Sequence, residues 1–210
     1  MGEFFALAAI HFLAVVAPGP DFVVTIRQSV RYGRQAGIGT AIGIGVGISV
    51  HVVYTLFGVG ALMHGAPKLL SVVELIGGLY LLFLGVNFVY QAGKNTQAIT
   101  IADHGQPQGK INFKKSFLLG FFTNATNPKA TLFFLAVFTT VVSTLTPLPI
   151  QILYGLWMCA VNALWFVLVS LFFTNPPIRH YFFKVSHWFE RVMGVLLILF
   201  SLKLFWGFAS

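Results

Sequence analysis

Long apolar runs alternate with short polar breaks along this chain, and the runs are longer than a soluble core requires. Six stand out, at about Glu3–Val30, Gly37–Met63, Leu69–Tyr90, Phe113–Val142, Ile150–Phe173 and Phe189–Phe208. A helix needs roughly 20 mostly apolar residues to cross a bilayer. The pattern predicts an all-α integral membrane protein with six transmembrane helices in a single membrane domain over residues 1–210. A polar stretch at about 93–112, with Lys94, Asn95, Asp103, His104, Pro107 and Lys110, reads as a flexible loop. Thr144–Pro149 reads as a short turn, and Ile178–Trp188 mixes aromatic and basic residues as a short helix at the headgroup level would.

Two of the runs are broken near their middles. Pro18, Gly19 and Pro20, followed by Asp21, interrupt the first; Asn127 and Pro128, followed by Lys129, interrupt the fourth. Proline removes a backbone N–H and clashes with the preceding turn, so no helix continues through either place. Irregular backbone at membrane depth survives only where protein buries it or where it lines a cavity.

The basic residues give direction to the crossings. The first, third and fifth loops hold Arg27, Arg31, Arg34, Lys94, Lys110, Lys114, Lys115, Arg179, Lys184 and Arg191; the second holds Lys68 and the fourth none. The positive-inside rule places the odd loops in the cytoplasm and both termini outside. Three crossings followed by three more make two halves of opposite orientation, about 1–92 and 113–210, joined by a cytoplasmic loop at about 93–112. Interrupted helices at matching places in inverted halves point to a transporter's substrate site.

Composition supports the membrane reading. Hydrophobic residues make up 57% of the chain and charged ones 9%, against about 25% charged in an average soluble domain. The net charge of +8 is accounted for by the loops, so nucleic acid is not expected as a partner. The one cysteine, Cys159, allows no internal disulfide and no Cys-x-x-Cys site. The first residues lack the basic start of a cleaved signal peptide and carry Ala6 where myristoylation wants Ser or Thr, so the N-terminus is expected to be retained.

The breaks hold the candidate chemistry. Asp21 is well placed to cap a helix restarting after it, and Asn127, biased to extended angles by Pro128, to cap the next. Pro128 fits the first helical position. Two helix N-termini near mid-membrane would favour an anion, with a substrate carboxylate the natural guest. Asp21 and Lys129 are expensive in lipid. They are expected to face each other or a wet cavity, as a structural ion pair or as partners for the ammonium and carboxylate of a zwitterion. Asn124 adds a donor and an acceptor. Asp21 could also carry a proton.

The second run carries Gly39, Gly43 and Gly47 four apart, a small-residue stripe for close helix packing within the protomer or across a homodimer. Continuing the stripe gives His51, a packing histidine or a cavity and proton-relay residue. Glu74 reads as a rim residue or part of the site. His11 reads as packing, and Asn162 and Trp165 as cavity lining or core.

Taken together, the motif Pro18-Gly19-Pro20-Asp21, the glycine-rich second run, Gly78-Leu79-Tyr80-Leu81 with Gly85, Asn127-Pro128-Lys129-Ala130, and Gly194 after Arg191 resemble the LysE/RhtB family of bacterial inner-membrane amino-acid exporters. Thr123-Asn124 and Leu164-Trp165-Phe166 are most similar to its homoserine/threonine branch. The resemblance covers essentially the whole chain. It implies efflux of small amino acids driven by the proton gradient, with roles at Pro18, Gly19, Pro20, Asp21, Asn127, Pro128 and Lys129. His51 and Glu74 rest on the physical reading alone. No enzyme activity, cofactor or metal is expected. The rival readings are an exporter of another solute, a structural membrane partner using the glycine stripe, and a redox protein holding haem between His11 and His51.

Overall fold

Proline and asparagine set the helix starts. Helix α2 begins at Pro20, α4 at Pro67, α6 at Pro128 and α8 at Pro176, each at a position where a missing N–H costs no intrahelical bond. The computed structural model describes residues 2–65, 67–92, 112–143 and 145–209. Among them are eight helices and no strand: α1 Gly2–Val16, α2 Pro20–Tyr32, α3 Arg34–Gly65, α4 Pro67–Gln91, α5 Phe113–Ala125, α6 Pro128–Thr140, α7 Leu148–Phe173 and α8 Pro176–Ala209. The expected loop at about 93–112 lies, save for Asn112, outside the described residues.

The protein is an all-α membrane protein. Helices α3, α4 and α7 are each long and apolar enough to cross a bilayer, and α1 with α2 passes the same test only when the bent pair is taken together. Large side chains that would be buried in a soluble protein stand exposed around the outside, among them Phe57 at 76%, Phe83 at 62% and Leu164 at 60%. Lipid is the medium in which such a belt is not a liability.

Both expected breaks are present. Helices α1 and α2 meet at 53° across Ala17–Gly19. Helices α5 and α6, each of 13 residues, are separated by Thr126 and Asn127. One detail differs from the sequence reading. Gly19, not Asp21, is the N-cap of α2, Pro20 opens the helix and Asp21 sits inside its first turn. Pro20 is suited to the first helical position, so the helix starts before the carboxylate is reached. The Ile178–Trp188 stretch also differs: it is not a separate surface helix but the start of α8, a continuous 34-residue helix. At 1.5 Å per residue α8 is about 51 Å long, more than the ~30 Å hydrocarbon core requires, so its aromatic and basic start extends past the apolar part.

Small residues set the closest packing. A Cβ on Gly43 would collide with the Phe117 carbonyl oxygen, and one on Gly39 would lie 3.1 Å from that of Phe113. Gly47 faces Phe121 and Asn124 in the same way. The stripe therefore lies against α5 of its own chain. Residues rise together along the two helices, so α3 and α5 run parallel. Helix α3 also crosses α7 in the opposite sense, with Gly45 against Ala163 and Val52 against Gly155; α4 meets α8 antiparallel at Gly85 and Gly194.

The helix ends gather in two layers. At one end Ser29 donates to Ser170 (3.0 Å), and Arg34 Nε to Thr174 (3.2 Å). At the other, Thr146 donates to the Glu3 carboxylate at 2.9 and 3.0 Å, and the Ser143 N–H donates to it at 3.0 Å. The larger buried core joins α1, α3, α4, α6, α7 and α8 around Phe133, Phe134, Met158 and Leu197.

Candidate functional site between the two helix breaks

The two interruptions meet in the middle of the molecule. Asn124, in the last turn of α5, donates through Nδ2 to Asp21 Oδ2 at 2.8 Å. On the other side of its break, Asn127 caps α6: its side chain accepts from the Lys129 N–H at 3.0 Å, and Pro128 occupies the first helical position. The pre-proline restriction gives Asn127 the extended angles a cap needs, φ −76° and ψ 110°.

Lys129 points back across the gap. A Cβ on Gly19 would lie 3.5 Å from its Nζ, so the ammonium stands at the N-terminus of α2. Its Nζ also lies 4.7 Å from the centre of the Phe88 ring, a cation–π distance. Tyr80, from α4, donates to the Lys129 carbonyl oxygen at 3.1 Å. The charges of Asp21 and Glu190 both act on Lys129. Glu190 is 2% exposed on α8. Sequence reading missed it: it follows Trp188-Phe189 and precedes Arg191, in a stretch that looks like membrane edge.

Around these groups lies a small cavity of about 50 Å³. Asp21, Asn124, Asn127 and Lys129 line it with Gly19 and Pro20, and so do His11 and Asn162. Its wall is completed by apolar side chains that include Ile48, Phe133 and Phe166. Its polar groups are not used up internally. Asp21 Oδ1, Asn124 Oδ1, Asn162 Oδ1 and both ring nitrogens of His11 have no hydrogen-bond partner among the described residues. Buried polar atoms in native proteins are nearly always paired, so a cluster of unpaired ones around a cavity stands out.

The remaining candidates fall outside the lining. His51 is fully buried with both nitrogens engaged, Nε2 with the Asn124 carbonyl oxygen at 2.9 Å and Nδ1 with the Tyr54 hydroxyl at 2.8 Å. It stacks on Phe134 and braces the turn from which Asn124 reaches Asp21. Glu74, half-buried on α4, does not line the cavity. Pro18 lies in the bend between α1 and α2, and Gly39, Gly43 and Gly47 serve the α3–α5 contact. Trp165 packs against both buried clusters.

Comparison with known proteins places the chain in a family. Residues 12–207 match the family described as LysE type translocator. The chain belongs to the LysE family. It is accordingly a transporter and not an enzyme. Among relatives, the threonine efflux protein of Salmonella typhi is 27% identical over 203 residues, covering 96% of each chain. The threonine efflux protein of Escherichia coli K12 is 27% identical over 204 residues, again 96% of each. An uncharacterized membrane protein of the same strain, YahN, is 25% identical over 187 residues, 89% of this chain and 82% of its own. No solved structure matches.

Proposed function

We propose that this LysE-family chain exports small amino acids of the threonine or homoserine kind from the cytoplasm, by antiport with protons. The observation that carries the reading is the cavity between the breaks. Two helix N-termini, α2 at Gly19 and α6 at Asn127, converge on it with Lys129 at hand. Free N–H groups and a cation together suit a carboxylate. Asp21 and Asn124 supply acceptor oxygens on the same cavity for an ammonium. A zwitterion fills both needs and brings no net charge into the membrane. The names of the relatives in Salmonella typhi and Escherichia coli agree with an amino-acid cargo.

In this reading the broken pairs α1–α2 and α5–α6 each count as one crossing, giving six spans. The two halves are related by an inverted repeat. Support comes from one sequence offset that links independent contacts. Pro128 lies 110 positions after Pro18, and Gly194 lies 109 after Gly85. Gly155 lies 110 after Gly45, and Ala163 lies 111 after Val52. The contacts Gly45–Ala163 and Val52–Gly155 thus exchange under the repeat, while Gly85–Gly194 maps onto itself. The layer holding Arg27, Arg31, Arg34, Lys114, Lys115 and Lys184 would face the cytoplasm, with Glu3 and both termini outside, in a bacterial inner membrane.

Asp21 is the group we assign to the proton. It is a carboxylate on the cavity with one oxygen open, so proton and substrate ammonium would compete for one place, which is the requirement for exchange. Across about 150 mV one proton supplies about 3.5 kcal/mol, a concentration ratio of a few hundred. The haem alternative fares worse on geometry. Both nitrogens of His51 are committed to Asn124 and Tyr54, and His11 and His51 both pack on Phe134.

The experiment is uptake of labelled L-threonine into inverted membrane vesicles, with and without an imposed proton gradient, against a panel of competing amino acids. Gradient-dependent uptake blocked by few competitors is the expected result. Inserted protein that moves no amino acid would overturn the reading.

A further inference from the structure

We propose that His11 and Asn162 form the side-chain subsite of the cavity and select an amino acid that carries a hydroxyl. The assignment rests on the reading of the cavity as an amino-acid site and names what distinguishes one amino acid from another there.

Both residues line the cavity from opposite parts of the chain, His11 on α1 and Asn162 on α7. They are 1% and 4% exposed. Neither nitrogen of His11 nor the Oδ1 of Asn162 has a hydrogen-bond partner among the described residues. A backbone zwitterion does not account for them, because Asp21, Asn124, Lys129 and the two helix N-termini already match its ends. Leaving a buried polar atom unpaired costs about 1–3 kcal/mol. A guest group that can both donate and accept would match a donor on His11 and the acceptor on Asn162.

The surroundings of His11 narrow the choice. Its ring is walled by Trp157, Phe133 and Phe134, at centroid distances of 5.7, 6.3 and 6.3 Å. It is held among aromatic faces and has no protein carboxylate among its hydrogen-bond partners. A neutral imidazole donates through one nitrogen, and a hydroxyl can accept that bond while giving its own proton to the Asn162 oxygen. The apolar wall, with Ala14, Val15 and Ile48, suits a methyl group beside the hydroxyl. An amino acid of the same shape without the hydroxyl would leave the His11 donor and the Asn162 acceptor desolvated and unpaired. A site built to bond a hydroxyl rejects an analogue lacking it far more strongly than an apolar pocket rejects an added one.

The test compares L-threonine with L-valine, which replaces the hydroxyl by a methyl. Binding of each to the purified protein in detergent is measured by calorimetry, for the wild type, His11→Phe and Asn162→Ala. The wild type is expected to prefer threonine by at least about tenfold. His11→Phe fits the aromatic surround and is expected to bring the threonine-to-valine ratio close to one, mainly by losing threonine. Asn162→Ala, a smaller change that serves if His11→Phe does not fold, should lower the ratio part-way. Equal wild-type binding of the two, or an unchanged ratio in the folded variants, overturns the subsite and leaves the amino-acid reading intact. Wild-type protein that binds neither, nor alanine nor serine, overturns that reading and the subsite with it.

Discussion

Asn124 and Asp21 are 103 residues apart in the chain and 2.8 Å apart in space, with the amide of one donating to the carboxylate of the other. The bond joins the end of α5 to the first turn of α2, so each broken segment holds the other at its break. His51 then fixes Asn124 from behind through the Asn124 carbonyl oxygen. A carboxylate held this way keeps one oxygen on a neighbour and one for the cavity. Substrate or proton can change at the second oxygen without dismantling the first contact.

Asp21→Asn tests that division. The substitution nearly preserves shape, and Thr25 still donates to the residue 21 carbonyl oxygen as it does now at 2.7 Å. The variant should insert and run as a single species in detergent. Gradient-driven export of threonine should fall to background, a loss of at least about tenfold, given the ~1.5–3 kcal/mol of a hydrogen bond to a charged group. Export at the wild-type rate with a normal response to the proton gradient would remove Asp21 from the coupling.

Lys129→Ala removes the cation from the mouth of α2. Amino acids should bind at least about tenfold more weakly, as expected from a lost charge-assisted bond, while their amides, which lack the carboxylate, should bind almost unchanged. Calorimetry on L-threonine and L-threonine amide makes the comparison. Equal losses for both would assign Lys129 to structure.

How much of this was legible depends on the residue. The breaks were, because Pro18-Gly19-Pro20 and Asn127-Pro128 forbid a helix whatever surrounds them. The Asn127 cap was legible for the same local reason. The start of α2 was misjudged because both a carboxylate and a proline can open a helix, and here Pro20 comes first. The glycine stripe announced a close contact, but spacing names no partner, and only the fold shows it to be α5. Glu190 was missed because its burial is created by the packing of α8, far from anything its neighbours in sequence reveal. His11 was read as packing. Its aromatic neighbours agree, but its unpaired nitrogens belong to a cavity no local pattern encodes.

The α3–α5 contact predicts opposite outcomes at two glycines of one helix. A Cβ at Gly43 meets the backbone of α5, which cannot turn aside as a side chain would, whereas one at Gly58 meets nothing within 4 Å. Gly43→Leu should therefore destabilise by about 1–3 kcal/mol or more through overpacking, seen as a lower Tm in detergent. Gly58→Ala should leave Tm unchanged or raise it, because alanine is the better helix former by about 1 kcal/mol. A neutral Gly43→Leu would mean that the two helices are not in contact.

Glu190 gives the last prediction, and it bears on how Lys129 stays in place during a cycle. Lys129 lies in the field of two carboxylates, Asp21 and Glu190. If Asp21 is the proton carrier proposed above, its protonation would leave the lysine unbalanced on that side, and Glu190 would be the remaining carboxylate acting on it. Glu190→Gln should therefore slow export without abolishing it, a smaller effect than Asp21→Asn. The sharper test is a double-mutant cycle with Lys129→Ala, scored on the initial rate of export. If the two charges communicate, removing the second costs less once the first is gone. A coupling of about 0.5–3 kcal/mol is expected for interacting residues, which is roughly a twofold to hundredfold departure from the product of the single effects. Losses that multiply to within about 0.5 kcal/mol would show that Glu190 serves α8 alone and that Lys129 depends on Asp21 throughout.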